Sequence, residues 1–297
     1  VTHPVNTLKA ILQSTPLDRV DAKVLLYHLM DLHYQWPRSY LISHDQDVLS
    51  TPFLNEWFDL EAKRQSGVPV AYLTKKRPFH QIELIVSPDV LIPRPETEIL
   101  VQLGLASIDS MFQALPMQFH PDQPLHVVDL GCGSGAIILA IAKELEPSPF
   151  FNSISFSASD ISPAALNIAK QNAHQLSLDN KIQFFESNWL AQLPHDSYGI
   201  ILSNPPYLSA QDPHLVKGDL RFEPIGALSD FADGLSAYRL ITEQASIRLA
   251  EGGYLLFEHG FEQAGDIQKI LREYSFLNIK TEKDYSGLDR VTWAQKG

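Results

Sequence analysis

The chain of 297 residues carries 23 Lys and Arg against 35 Asp and Glu, a formal charge of −12, with 44% hydrophobic residues. That composition is too apolar for disorder, and no apolar run reaches the ~20 residues that span a bilayer. The single cysteine excludes an internal disulfide and any cysteine-based zinc cluster, and the length predicts two domains.

Val1 to Lys9 lack the basic and apolar stretches of a secretion signal, so a cytoplasmic protein without a membrane segment is expected. From Asp18, DRVDAKVLLYHLMDL predicts a helix whose apolar stripe is Val20, Val24, Leu25, Leu29 and Leu32. Thr51-Pro52 reads as an N-cap followed by proline in the first turn, opening a helix that Gly67 stops. Between Val68 and Pro95 four prolines and the alternating HQIELIVSP suggest a linker with a short hairpin, followed by a helix over 96–113.

From Leu125 strand and helix signals alternate. LHVVDL, SISFSASD, KIQFFES, YGIILS and GYLLFEHG read as strands separated by helical segments, with a closing strand pair around Ser286-Gly287. Such alternation predicts a doubly wound α/β domain with a largely parallel sheet, whose ligands bind at the carboxyl ends of the strands.

Two strand exits carry chemistry. Gly131, Gly133 and Gly135 lie between a strand and a helix, where glycine permits a tight turn and close approach of a ligand to the backbone. Gly131, Gly133 and Ala136 nearly satisfy a dinucleotide fingerprint. Asp129, two residues upstream, disfavours a pyrophosphate and suits the cationic sulfonium and amino groups of S-adenosylmethionine. Asp160, at the next strand end, is placed to accept hydrogen bonds from a ribose diol. Cys132 and Ser134 complete the loop, Cys132 as a small side chain in a crowded turn rather than a nucleophile.

The second exit is Asn204-Pro205-Pro206-Tyr207. Pro205 and Pro206 have no N–H, so this backbone offers only acceptors, and the Asn204 side chain adds another. A planar NH₂ group could give one hydrogen to Asn204 and one to the Pro205 carbonyl while Tyr207 fixes its plane. This is a receptor for an amide or an exocyclic amine. A nicotinamide oxidoreductase has no use for it, and a non-catalytic binding module would not need it.

With these motifs, together with PVAYLT near residue 70, LIPRPETEIL at 91–100, VVDLGCGSGAIILAIA at 127–142 and QDPHLVKGDLRFEPIGAL at 211–228, the chain resembles the peptide chain release factor glutamine N(5)-methyltransferases, the HemK family. The resemblance implies a seven-stranded Rossmann-like S-adenosylmethionine methyltransferase domain over 96–297. A helical substrate-docking domain over 1–75 and a linker with a β-hairpin over 76–95 would precede it. It also implies methylation of the glutamine amide in a Gly-Gly-Gln motif of release factors. Asp129, Gly131 to Gly135, Asp160, Trp189 and Asn204 would bind the cofactor, with Trp189 near the adenine. Asn204 to Tyr207 would hold the substrate amide, and Asn204, Pro205 and Tyr207 would serve catalysis. A ribosomal-protein glutamine methyltransferase and an adenine N(6) DNA methyltransferase are the alternatives. One departure stands out: Lys75 occupies a position where the family commonly has glycine.

Residues 1–88 hold nine basic and nine acidic residues, whereas residues 89–297 hold 14 and 26, so all the net charge falls on the expected catalytic part. Such a surface repels a polyanion, and direct nucleic-acid binding is not expected. A monomer is expected. The loop over 210–230 carries Arg221 and Glu223 and would either close over the substrate or form a solvated surface.

Overall fold

The computed structural model describes residues 5–114 and 119–297. The first four residues of the N-terminal stretch, read above for a secretion signal, lie outside the described residues. The chain divides into two compact units, Val1–Lys76 and Arg77–Gly297.

The first unit is helical, with α1 (Leu8–Ser14), α2 (Arg19–Tyr34), α3 (Tyr40–Ser43), α4 (Thr51–Gln65) and α5 (Val70–Thr74). Asp18 caps α2 by accepting the Val20 N–H. The buried face of α2 is Ala22, Leu25, Leu26, Leu29 and Met30, an i, i+3, i+4, i+7, i+8 stripe. Val20, Val24 and Leu32 of the expected stripe lie outside it, at 68%, 41% and 59% exposure. Apolar residues lie on more than one side of α2, and burial selects Ala22, Leu26 and Met30 with Leu25 and Leu29. The cap of α4 is Ser50, one residue before the expected Thr51, and its hydroxyl accepts the Phe53 N–H at 3.4 Å.

The helix α5 ends at Lys75, which adopts the left-handed conformation (φ 57°, ψ 20°). This is the geometry for which glycine is the ordinary choice, so the departure from the family retains the turn at a cost in backbone strain. Lys75 is exposed. Lys75→Gly should therefore stabilise the unit by roughly 0.5–1 kcal/mol. Denaturant unfolding of the two forms measures this, and an unchanged or lower midpoint for the variant would contradict it.

In the second unit β1 (Lys76–Phe79) and β2 (Ile82–Ile85) form a two-stranded sheet. Phe79, Ile82 and Leu84 of this hairpin are buried in the same core as the main sheet, so the segment after residue 76 packs as part of the unit. The helix α6 (Thr97–Ala114) follows, and then β3 (Leu125–Leu130), α7 (Ala136–Leu145), β4 (Ile154–Asp160), α8 (Pro163–Gln175), β5 (Ile182–Glu186), β6 (Tyr198–Ser203), α9 (Ile225–Leu228), α10 (Ser236–Arg248), β7 (Leu249–Glu258), α11 (Ala264–Glu273), β8 (Phe276–Lys283) and β9 (Asp289–Lys296).

Seven strands form one sheet in the order β5-β4-β3-β6-β7-β9-β8, parallel from β5 to β7 and antiparallel on both sides of β9. Strand periodicity sorts its side chains onto two faces. Val127, Ile200, Leu202 and Leu256 pack with α6, α7 and α8, whereas Val128, Ile201, Leu255 and Phe257 pack with α10 and α11. Successive strands run outward from β3 on one side and from β6 on the other. The crevice at their carboxyl ends is thus the switch point where α/β sheets bind ligands. The doubly wound α/β class expected from the sequence is the one observed. Among the described residues, no helix is long and apolar enough to cross a membrane.

Candidate active site

The turn from β3 into α7 is built by backbone bonds. The amides of Gly131 and Cys132 both donate to the Ser159 carbonyl on β4, at 2.8 and 2.9 Å, and the Gly135 N–H closes on the Cys132 carbonyl at 2.7 Å. Gly131 and Gly135 take φ values of 70° and 80°, open to glycine at little cost. A side chain at Gly131 would meet the Trp189 ring at 3.0 Å, and one at Gly135 would meet Leu139 at 2.9 Å. Gly133 differs: the space over its Cα is empty. Buried Asn172 clamps the loop from behind, donating to the carbonyls of Ser134 and Ile85 and accepting the Ile85 N–H. The sequence reading did not single out this residue.

Asp160, at the end of β4, accepts the Gly133 N–H on one carboxylate oxygen and the Ser162 N–H on the other, each at 2.9 Å. Burial raises its pKa, and these backbone donors work against the rise. Trp189 follows β5 with a left-handed backbone (φ 56°), held by Ser159 and Ser187, whose hydroxyls both donate to its carbonyl. A strained residue pinned this way is a feature of ligand sites.

Gly131, Gly133, Asp160, Ser162, Trp189 and Asn204 line a cavity of about 250 Å³. Asp89 to Leu91, Pro224, Gly226 and Ala227 also line it. Asp129, Cys132, Ser134, Gly135 and Pro205 are absent from that lining. Asp129 is fully buried beneath the loop, where one oxygen accepts the Ile138 N–H at 3.3 Å and the other has no partner among the described residues. Burial, aided by the nearby Asp160 charge, pushes its pKa up to about 7. The direct contact with a bound cation expected of Asp129 is therefore replaced by a position under the loop. Cys132 is buried, and its thiol pKa is pushed well up by that burial and by Asp129 and Asp160, consistent with packing rather than nucleophilic chemistry.

The second strand exit meets the first. Asn204 leaves β6 half-buried, and its Nδ2 donates to the Thr97 hydroxyl at the start of α6 at 3.4 Å. A second cavity, about 170 Å³, adjoins the first and is lined by Asn204 and Tyr207 with Arg94, His214, Leu220 and Leu228. Asn204 thus borders both. The Tyr207 backbone is fixed by Gln263, whose amide donates to the carbonyls of Tyr207 and Gly234 at 3.0 Å each. Burial, with the Glu258 charge, pushes the Tyr207 hydroxyl up to about 12, so it stays protonated at neutral pH.

The 210–230 loop closes over this site. Glu223 has a fully buried side chain, accepts the Ile92 N–H at 2.9 Å and pairs with the Arg94 guanidinium, clasping the loop to the LIPRP segment. Arg221 lies over the ring of Phe222 and does not line either cavity.

A family model described as the PrmC N-terminal domain matches residues 5–74, and one described as the methyltransferase small domain matches residues 104–218. The chain is 39% identical over 292 residues to the release factor glutamine methyltransferase of Burkholderia pseudomallei, covering 96% of this chain and 95% of that one. It is 41% identical to that of Vibrio cholerae, covering 93% and 89%. The chain belongs to the release factor glutamine methyltransferase family. It is an S-adenosylmethionine-dependent methyltransferase. Among solved structures, the catalytic domain of hMettl16, bound to an RNA hairpin, shares the fold with a TM-score of 0.52 at 13% identity, covering 83% of this chain and 82% of that chain.

The methyltransferase's first cavity fits its cofactor on its own features. It has an open cradle over Gly133, a carboxylate at Asp160 and an aromatic wall at Trp189. Sequence reading missed Thr97, Asn172 and Glu258, and left Glu223 undecided. The ETE run before α6 and the FEHG strand end carried the only available signal, a polar residue interrupting an apolar pattern.

Proposed function

We propose that the enzyme methylates the side-chain amide of the glutamine in the Gly-Gly-Gln segment of a peptide chain release factor. The observation that carries this reading is that Asn204, at the head of an acceptor-only backbone, lines both of two adjoining cavities, with the apolar Leu91 and Ala227 as the other shared residues. Gly131, Gly133, Asp160 and Trp189 would hold the cofactor in the first cavity, with Asp129, Cys132, Ser134 and Gly135 shaping the loop from behind. The second cavity would take the glutamine.

An amide nitrogen is a weak nucleophile because its lone pair is shared with the carbonyl. Asn204 Oδ1 and the Pro205 carbonyl accept its two hydrogens, returning electron density to nitrogen and aiming it at the neighbouring cavity. Bound S-adenosylmethionine supplies the electrophilic methyl group. Tyr207 and Pro206 fix the plane of the amide, and such alignment contributes about 7–11 kcal/mol in well-positioned reactions. The protonated Tyr207 is a wall rather than a base, and the amide proton becomes acidic as the N–C bond forms.

The N-terminal helical unit is assigned to substrate docking, supported by the exposed Val20, Leu32, Ile42 and Val48 on its surface. The acidic second unit supports a protein substrate over a nucleic acid. The enzyme acts in the cytoplasm as a monomer on this reading. Incubation with methyl-labelled S-adenosylmethionine and, in parallel, release factor, ribosomal protein and DNA tests it. Label should appear in the Gly-Gly-Gln peptide of the release factor; label confined to ribosomal protein or DNA overturns the reading.

A further inference from the structure

The mechanism above uses one side of Asn204; its other side meets a carboxyl group with no part in that mechanism. Glu258 ends β7, the strand beside β6, and the register that pairs Ser203 with Phe257 brings Asn204 and Glu258 to the same edge of the sheet. The Glu258 side chain is buried at 1% exposure, and its Oε2 has no partner among the described residues. Hydrogen bonding from the Thr97 and Asn204 side chains lowers the pKa of this carboxyl against the effect of its burial. Asn204 Nδ2 makes one long bond, to Thr97 Oγ1 at 3.4 Å, so this NH₂ has a second hydrogen to give. The strand end is anchored by the Tyr238 hydroxyl, which donates to the Glu258 carbonyl at 2.9 Å.

We propose that ionised Glu258 is the positioning residue that fixes the Asn204 amide, drawing its NH₂ inward directly and through the Thr97 hydroxyl and leaving Oδ1 turned to the substrate. This rests on the reading of Asn204 as the amide receptor. A carboxylate accepts only, so it faces the donor end of Asn204 and the Thr97 O–H without conflict. Once protonated, Glu258 offers an O–H of its own and satisfies Oδ1 of Asn204. The amide then turns its NH₂ outward, a donor against the donors of the substrate. Turnover should therefore rise with pH as Glu258 loses its proton.

The groups facing Glu258 set where this occurs. Burial, with Glu96 ahead of α6, pushes its pKa up to about 7, against the lowering effect of Thr97, Arg290 on β9 and Asn204. Tyr207 and, on α10, Tyr238 also sense its charge, and both have hydroxyl pKa values raised by burial. His259, next in the chain, bonds instead to the Thr292 hydroxyl at 2.8 Å. The transition thus falls in a range where the folded enzyme can be assayed.

The test is the pH profile of kcat and KM for the full-length enzyme with release factor, for the wild type, Glu258→Gln, Glu258→Asp, Thr97→Val and Asn204→Ala. Glu258→Gln should lower kcat roughly 10- to 100-fold at alkaline pH with little change in KM for S-adenosylmethionine, since misaiming costs turnover more than binding. Its rising acid limb should vanish because the amide does not titrate, while Glu258→Asp should restore a titrating limb and part of the activity. A purely structural role would lower melting temperature and leave the limb in place. A folded Glu258→Gln that keeps wild-type kcat, or keeps the acid limb, overturns the proposal. Should that variant not fold, Thr97→Val decides: normal kcat with an unshifted limb overturns the relay. If Asn204→Ala is itself fully active, the receptor reading fails; if it is inactive while Glu258→Gln is not, only the role of Glu258 fails.

Discussion

Asn204→Ala is expected to lower kcat for glutamine methylation by about 10²–10³-fold, comparable to deleting one preorganised hydrogen-bonding group from an enzyme site. The variant loses the amide acceptor of the Asn-Pro-Pro-Tyr wall, and the remaining Pro205 carbonyl can engage one substrate hydrogen but not both. Cofactor affinity should change far less, because Gly133, Asp160 and Trp189 remain in the first cavity. Asn204→Asp keeps an acceptor but sets a second carboxyl beside Glu258, so it should recover only part of the loss. Steady-state kinetics with release factor, paired with calorimetric titration of S-adenosylmethionine, separate these effects. Wild-type kcat in the alanine variant would remove Asn204 from the mechanism.

Asp160→Asn is expected to act on the other cavity and in the opposite sense, weakening S-adenosylmethionine binding with a smaller effect on kcat at saturation. Each oxygen of Asp160 receives a backbone N–H, from Gly133 and from Ser162. An amide has one oxygen, so its NH₂ would confront one of these donors and release either the glycine loop or the start of α8. Losing a hydrogen bond to a charged group costs about 1.5–3 kcal/mol, or roughly 10- to 100-fold in affinity. Calorimetric titration reads this directly, and an unchanged dissociation constant would show that the carboxylate neither shapes the loop nor meets the ligand.

The strands were legible because each face of the sheet is apolar and the exits carry glycine or proline. Gly131, Asp160 and Asn204 could be placed on one crevice from the sequence, since parallel topology gathers strand ends, whereas Trp189 came only from the family resemblance. Side-chain direction was not legible. Asp129 and Asp160 both sit near strand ends, yet one lies sealed beneath the loop and the other lines the cavity. The difference lies in the register, which pairs Asp129 with Ala158 and leaves Asp160 two residues nearer the carboxyl edge of the sheet. The face of α2 was misplaced because its apolar residues fit two overlapping helical stripes, and the one with Val20, Val24 and Leu32 was read in place of the one with Ala22, Leu26 and Met30. Thr97, Asn172 and Glu258 were missed because each serves a partner far away in sequence. Asn172 reaches Ile85 across 87 residues and Asn204 reaches Thr97 across 107. Nothing local to those positions betrays the partner.

The clasp between Arg94 and Glu223 joins positions 129 residues apart. Closing so long a loop adds little entropy cost over a shorter one, because that cost grows only with the logarithm of length, but it places the clasp late in the order of synthesis. A chain extended only as far as Tyr207 already holds the glycine loop, Asp160, Trp189 and Asn204. It lacks Pro224, Gly226 and Ala227 of the first cavity and Ala227 and Leu228 of the second. The residues of the strand exits are thus present in the growing polypeptide before either cavity can be shut, and a truncated product that retains the glycine loop would have no enclosed place for the cofactor or for a glutamine.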